Sequence, residues 1–181
     1  MRYLLSQKKY FALIASSRGG MVMNCYKVCS FFGHREIELA EELVERLKFK
    51  IEDLIVKDNV GFFYFGGFGM FDDLCWKVVT ELKLKYANIK RIFCLSDPRH
   101  LRVNKRPRNL RDEDYEDFIY LDLDFDWWYQ RIYYRNIEMI NQSDFVIFCV
   151  KNTSNSGAYK AYQYAVKKKK NIVNMVELGE Q

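Results

Sequence analysis

The stretch FYFGGFGMFDDL, Phe63–Leu74, sets Gly66, Gly67 and Gly69 between an aromatic run and a helical pattern, with Asp72 three residues after the last glycine. Bare backbone serves two ends. It adopts positive φ, and it admits a ligand where a Cβ would block approach, while a helix start just beyond offers N–H groups to an anion. The chemistry indicated is phosphate binding, with Asp72 either contacting a ribose hydroxyl or acting as an ordinary first-turn acid stabilised by the helix dipole. A purely structural tight turn is the plain alternative, since GFGMFD lacks the third glycine of the dinucleotide fingerprint and no lysine follows as in a Walker loop. Two further turns share this chemistry: Gly33-His34-Arg35 after KVCSFF, and Asn155-Ser156-Gly157 after FVIFCV. Arg135 lies in an otherwise aromatic and apolar helical stretch beside Asn136, where a cation asks for an anionic partner such as phosphate; Arg131, four residues earlier on the same face, is explained by surface salt bridging.

Other chemistries lack material. His34 is one of two histidines, so a histidine triad or histidine metal site is excluded in practice; GHR either contacts ligand or caps the helix that follows and pairs with a carboxylate. The five cysteines, Cys25, Cys29, Cys75, Cys94 and Cys149, form no CxxC pair, and most sit in apolar runs where a reduced thiol packs as a small hydrophobe. No metal or cofactor is expected, and the chain reads as cytoplasmic. A net charge of +5 suits a partner bearing phosphate but is far from that of a protein that coats nucleic acid, and no run reaches the roughly 18 apolar residues of a membrane span.

These residues must be positioned by a scaffold, and the periodicity supplies one. KVCSFF, Val60–Phe65, Ile89–Leu95, Phe145–Val150 and Asn171–Val176 read as strands. Helical spacing runs through Leu39, Leu43, Leu47, Ile51 and Leu54, over Phe71–Tyr86, over Trp127–Asn141, and over Ala158–Lys168, where Lys167–Lys170 complement the helix end. Strands alternating with helices predict an α/β, three-layer, Rossmann-like parallel sheet with helices on both faces and ligands beyond the strand carboxyl ends. The aromatic content of 17% is expected in the core and around the ligand, where one of Trp127, Trp128, Tyr129, Tyr133 or Tyr134 could stack on a base. Ser96–Asp126 reads as irregular: its first half carries Arg99, Arg102, Lys105, Arg106, Arg108 and Arg111, its second Asp112, Glu113, Asp114, Glu116, Asp117, Asp122 and Asp124, so it is a self-neutralising solvated segment or a flap over the ligand. At the N-terminus, Arg18-Gly19-Gly20 ahead of Met21 and Met23 is what a purine-rich ribosome-binding site would encode. Residues 1–24 are expected to be a disordered or artefactual extension ahead of one domain over 25–181.

FFGHRE, FYFGGFGMFD, Arg135–Asp144 (RNIEMINQSD) and Ser156–Asn174 resemble, in order and spacing, the successive motifs of YpsA-like members of the SLOG superfamily over Tyr26–Met175. The resemblance implies a Rossmann-like fold and a site for a nucleotide or nucleotide-derived ligand. The superfamily also holds phosphoribohydrolases of cytokinin nucleotides, whose arginine ahead of a strand is similar in position to Arg135. Their GGxGTxxE turn is departed from here: Ser156-Gly157-Ala158 replaces Gly-Gly-Thr, and Lys160, Ala161 and Tyr162 offer no carboxylate for acid–base work. The expected function is ligand binding without turnover, through Gly33, His34, Arg35, Gly66, Gly67, Gly69, Asp72, Arg135, Asn136, Ser156 and Gly157. The alternatives are N-glycosidic hydrolysis of a nucleotide using Asp72 or Asp73, and binding of single-stranded nucleic acid, as in the related DprA proteins. The acidic half of Ser96–Asp126 disfavours the last, and a homo-oligomer stays open.

Overall fold

The structure, a computed structural model, describes residues 26–97, 112–120, 127–151 and 156–176. In chain order its elements are β1 (Lys27–Gly33), α1 (Glu41–Asp58), β2 (Val60–Phe65), α2 (Met70–Lys85), β3 (Lys90–Leu95), a 3-10 turn (Asp112–Asp114), β4 (Asp117–Tyr120), α3 (Trp128–Gln142), β5 (Phe145–Cys149), α4 (Gly157–Lys167) and β6 (Asn171–Asn174). The aromatic and β-branched runs make the strands, whose side chains pack well on a pleated surface. The helices take the segments with apolar residues at helical spacing, and α1 stops where Asn59 turns left-handed at φ 58.

All six strands are parallel, in the order β4-β3-β2-β1-β5-β6. The chain starts at the centre, walks outward through β2 and β3 to β4, then returns to lay β5 and β6 on the other side of β1. Strand order therefore reverses between β1 and β5, which are paired from Cys29 with Phe145 to Gly33 with Cys149. A crevice beyond the carboxyl ends at such a reversal is where open α/β sheets hold ligands.

Alternation along the strands divides the core into two layers. Cys29, Phe31, Phe63 and Phe65 face α1 and α2 through Leu47, Ile51, Leu54, Leu74 and Val78. Val28, Phe32, Tyr64 and Phe148 face α3 and α4 through Met139, Ile140, Ala161 and Ala165. This is the three-layer Rossmann-like arrangement expected, with one correction. Ser96–Asp126 is not irregular throughout, because Asp117–Tyr120 pairs with β3 as a sixth strand. Its apolar core is only Phe118 to Tyr120 and sits among acids. What holds it is the Arg91 side chain on β3, which donates through Nη2 and Nε to Glu116 Oε1 and Oε2 at 2.7 and 3.3 Å while the Arg91 N–H donates to Glu116 Oε2 at 2.6 Å.

The expected N-terminal extension, Cys25, the cationic series Arg99 to Arg111, and Asp122 and Asp124 lie outside the described residues. Among the described residues no helix is long and apolar enough to cross a membrane.

Candidate functional site

The turn after β2 is built from backbone that only glycine adopts comfortably. Gly67 and Gly69 have φ of 72° and 94°. A Cβ on Gly67 would lie 2.5 Å from the Phe93 ring, and one on Gly69 2.8 Å from the Arg35 backbone. Both requirements come from the chain's own packing. Asp72, in the first turn of α2, reaches back under the loop: the N–H of Gly66 donates to its Oδ1 at 3.2 Å and the N–H of Gly67 to its Oδ2 at 2.9 Å. The carboxylate thus takes two donors that a phosphate would otherwise use, extending the reciprocal capping of a helix start to the preceding turn. Asp72 is 6% exposed. Burial pushes its carboxyl up to about 6, against the downward pull of the two N–H bonds and the Arg135 charge.

Arg135 enters the same turn from α3, where it is 3% exposed. Nη1 donates to the carbonyls of Gly66 at 2.8 Å and Cys94 at 3.4 Å, joining the carboxyl ends of β2 and β3. Nε and Nη2 donate to Asn136 Oδ1 at 3.3 and 2.9 Å. The guanidinium carbon lies 5.3 Å from the centre of the Phe68 ring, a cation–π distance. Arg135, Asn136 and Asp72 accordingly act on the loop itself, the cation holding its carbonyl side and the carboxylate its amide side. Arg131, on the same helix, pairs with Asp97 at 3.7 Å, a carboxylate that is buried and not on the surface as expected.

The crevice between β1 and β5 gathers the other residues. The His34 N–H donates to the Cys149 carbonyl at 3.2 Å, and the Lys151 N–H donates to His34 Nε2 at 3.0 Å, which puts the imidazole proton on Nδ1. The ring neither caps a helix nor meets a carboxylate in these bonds; it ties the two strand ends together. The Arg35 carbonyl accepts from the Met70 N–H at 2.9 Å, bringing the β1 connection against the glycine turn, and a Cβ on Gly33 would run into the Phe71 ring. Ser156 and Gly157 come in by topology, at the end of the connection from β5. Ser156 caps α4, accepting from the Tyr159 N–H at 3.2 Å, and a Cβ on Gly157 would meet nothing among the described residues within 4 Å. Of the glycines in these turns, it is the one whose missing side chain has no neighbour among the described residues.

No family model matches the chain, and no curated protein matches it. Among solved structures it is similar to TM1055, at 14% identity over 81% of this chain and 72% of that one, with a TM-score of 0.48. It is also similar to the molybdenum cofactor carrier protein of Chlamydomonas reinhardtii, at 17% identity over 82% of this chain and 75% of that one, with a TM-score of 0.49. Likenesses at this level carry no weight for ligand or reaction, and the fold class stands on the strand order itself.

Two residues that were not singled out belong to the same surface. Lys151 lies two residues past the end of β5 with its N–H on His34, and Phe68 sits between the two positive-φ glycines. A surface cavity of ≈ 320 Å³ lined by Phe49, Val56, Lys85 and Tyr86, among others, lies at the opposite end of the sheet. Among the described residues no group of three or more His, Cys, Asp or Glu side chains could hold a metal ion.

Proposed function

We propose that this chain binds a nucleotide or nucleotide-derived ligand, a phosphorylated sugar at its core, in the crevice beyond β1 and β5, and does not turn it over. The observation that carries this reading is the placement by topology of Arg35, Lys151 and the start of α4 past the carboxyl ends of β1 and β5, with nothing among the described residues within 4 Å of a Cβ on Gly157. A helix start offers backbone N–H groups to phosphate, and Arg35 and Lys151, just past the ends of the two central strands, supply cations. In this reading Gly157 and the neighbouring α4 N–H groups hold phosphate, with charge from Arg35 and Lys151. Gly66, Gly67 and Gly69 let the turn pack against Arg135, Phe93 and Arg35, while Asp72, Arg135 and Asn136 keep that backbone in shape beside the ligand. The resemblance to YpsA-like SLOG proteins is the finer form of the same reading. Four free cysteines, Cys29, Cys75, Cys94 and Cys149, all buried, suit a reducing compartment such as the cytoplasm. The test is thermal denaturation against a panel of nucleoside mono-, di- and triphosphates and sugar phosphates. Stabilisation by at least one class is expected, and its absence across the panel refutes the reading.

One observation favours a second reading, N-glycosidic hydrolysis. A carboxyl held at about 6 is poised for general acid work near neutral pH. Against it stands the commitment of both Asp72 oxygens to the loop. Chromatography of nucleoside monophosphates incubated with the protein separates the two: the binding reading expects no free base at an enzyme-like rate, whereas rapid base release abolished in Asp72→Asn selects the hydrolase.

A further inference from the structure

We propose that Phe68 is a stacking platform for a flat heteroaromatic ring, so that the ligand is a base-bearing nucleotide and not a sugar phosphate alone. The inference rests on the proposed nucleotide site and names the part of the ligand that gives it specificity. Phe68 is 50% exposed at the carboxyl end of β2, although a phenyl ring left in water there brings no folding benefit. Its direction is fixed by its neighbours. Gly67 and Gly69, at φ 72° and 94°, throw the intervening residue outward, and both are locked, Gly67 by its N–H bond to Asp72 and Gly69 by the close approach of Arg35. Arg135 lies 5.3 Å from the ring centre and is itself held by the carbonyls of Gly66 and Cys94 and by Asn136. The ring is therefore backed by a cation that its own hydrogen bonds keep in place. An aromatic side chain held this way loses little freedom when a second ring stacks on it, which is the condition under which stacking adds most to affinity. A purine or pyrimidine on the open face of Phe68 has Arg35 close by for its sugar and phosphate, since the Arg35 carbonyl accepts from the N–H of Met70, two residues beyond Phe68.

The experiment is titration calorimetry of AMP and of ribose 5-phosphate with the parent protein, Phe68→Ala and Phe68→Tyr, each checked for native circular dichroism. The parent is expected to bind AMP more tightly than ribose 5-phosphate. Phe68→Ala should weaken AMP by roughly 5- to 150-fold, the usual range for loss of one base–aromatic stack, with ribose 5-phosphate changed less than about twofold. Phe68→Tyr, which keeps the ring, should retain AMP affinity. Equal weakening of both ligands in Phe68→Ala, no weakening of AMP, or a parent that does not distinguish the two overturns the stacking role while leaving the phosphate site standing. A parent that binds neither compound overturns the stacking of an AMP base on Phe68, while the nucleotide reading is decided by the panel above.

Discussion

At the scale of single residues, Asp72 shows how a buried carboxylate can serve backbone instead of substrate. Both oxygens accept from consecutive peptide N–H groups, yet desolvation outweighs those bonds and holds the carboxyl at about 6 against an ordinary 3.8. The folded state then keeps a proton that the unfolded chain has released, so stability falls as pH rises from about 4 through about 6, by roughly 3 kcal/mol for this group. Asp72→Asn removes the titration. Urea denaturation of the two proteins between pH 4 and 7.5 should show a decline in the parent that is missing from the variant; parallel curves would mean that Asp72 ionises in the folded protein as it does in water. Arg135 is the complementary case. Its type and helical setting suggested phosphate, whereas its bonds run to the carbonyls of Gly66 and Cys94. Residue type and spacing signal that such a cation needs a partner, but the partner is 69 residues away in sequence and leaves no local period to read.

Among the elements, the glycine turn and the edge strand carry the testable content. Gly67→Ala places a side chain at positive φ against the Phe93 ring and should cost roughly 1–3 kcal/mol. Gly157→Ala meets nothing and should be neutral or slightly stabilising, because alanine is the better helix former. Similar costs at the two positions by denaturant titration would contradict the division between a glycine needed for folding and one left open for a ligand. At the edge, Glu116→Gln weakens the paired bonds from Arg91 and should cost about 2 kcal/mol. Hydrogen exchange of 117–120 should quicken before that of β1 or β5; unchanged protection of β4 would show that pairing with β3 suffices alone. These elements also mark what the sequence disclosed. Val60–Phe65 was legible to the residue, because an apolar aromatic run bounded by Asn59 and Gly66 fits only a buried strand. The four helices were legible from their stripes. β4 was not, since four residues among acids have no pattern of their own and are held by an arginine on another strand. The three turns were legible as glycine- or serine-bearing strand ends, but their spacing did not distinguish Gly67, which the fold requires, from Gly157, which it does not.

For the molecule as a whole, the strand order sets where a ligand is expected. A chain that lays β1 first, builds one half of the sheet outward and then returns to place β5 against β1 has its reversal of strand order at that pair, the place where open α/β sheets hold ligands. Arg35 and Lys151 follow those two strands, whose ends are joined by the bond from the Lys151 N–H to His34, and the chain enters α4 after β5. A ligand that binds the folded chain alone stabilises it by about 2.7 kcal/mol when present at 100 times its Kd, which for a protein of this size raises Tm by roughly 5–11 °C. The most direct measurement is the Tm of the parent and of Gly157→Val across nucleotides at saturating concentration. The expected result is a rise of that size in the parent with at least one nucleotide, and its loss in Gly157→Val with the unliganded Tm preserved. A parent that no nucleotide stabilises, or a shift that survives intact in Gly157→Val, would contradict a nucleotide phosphate seated at the start of α4.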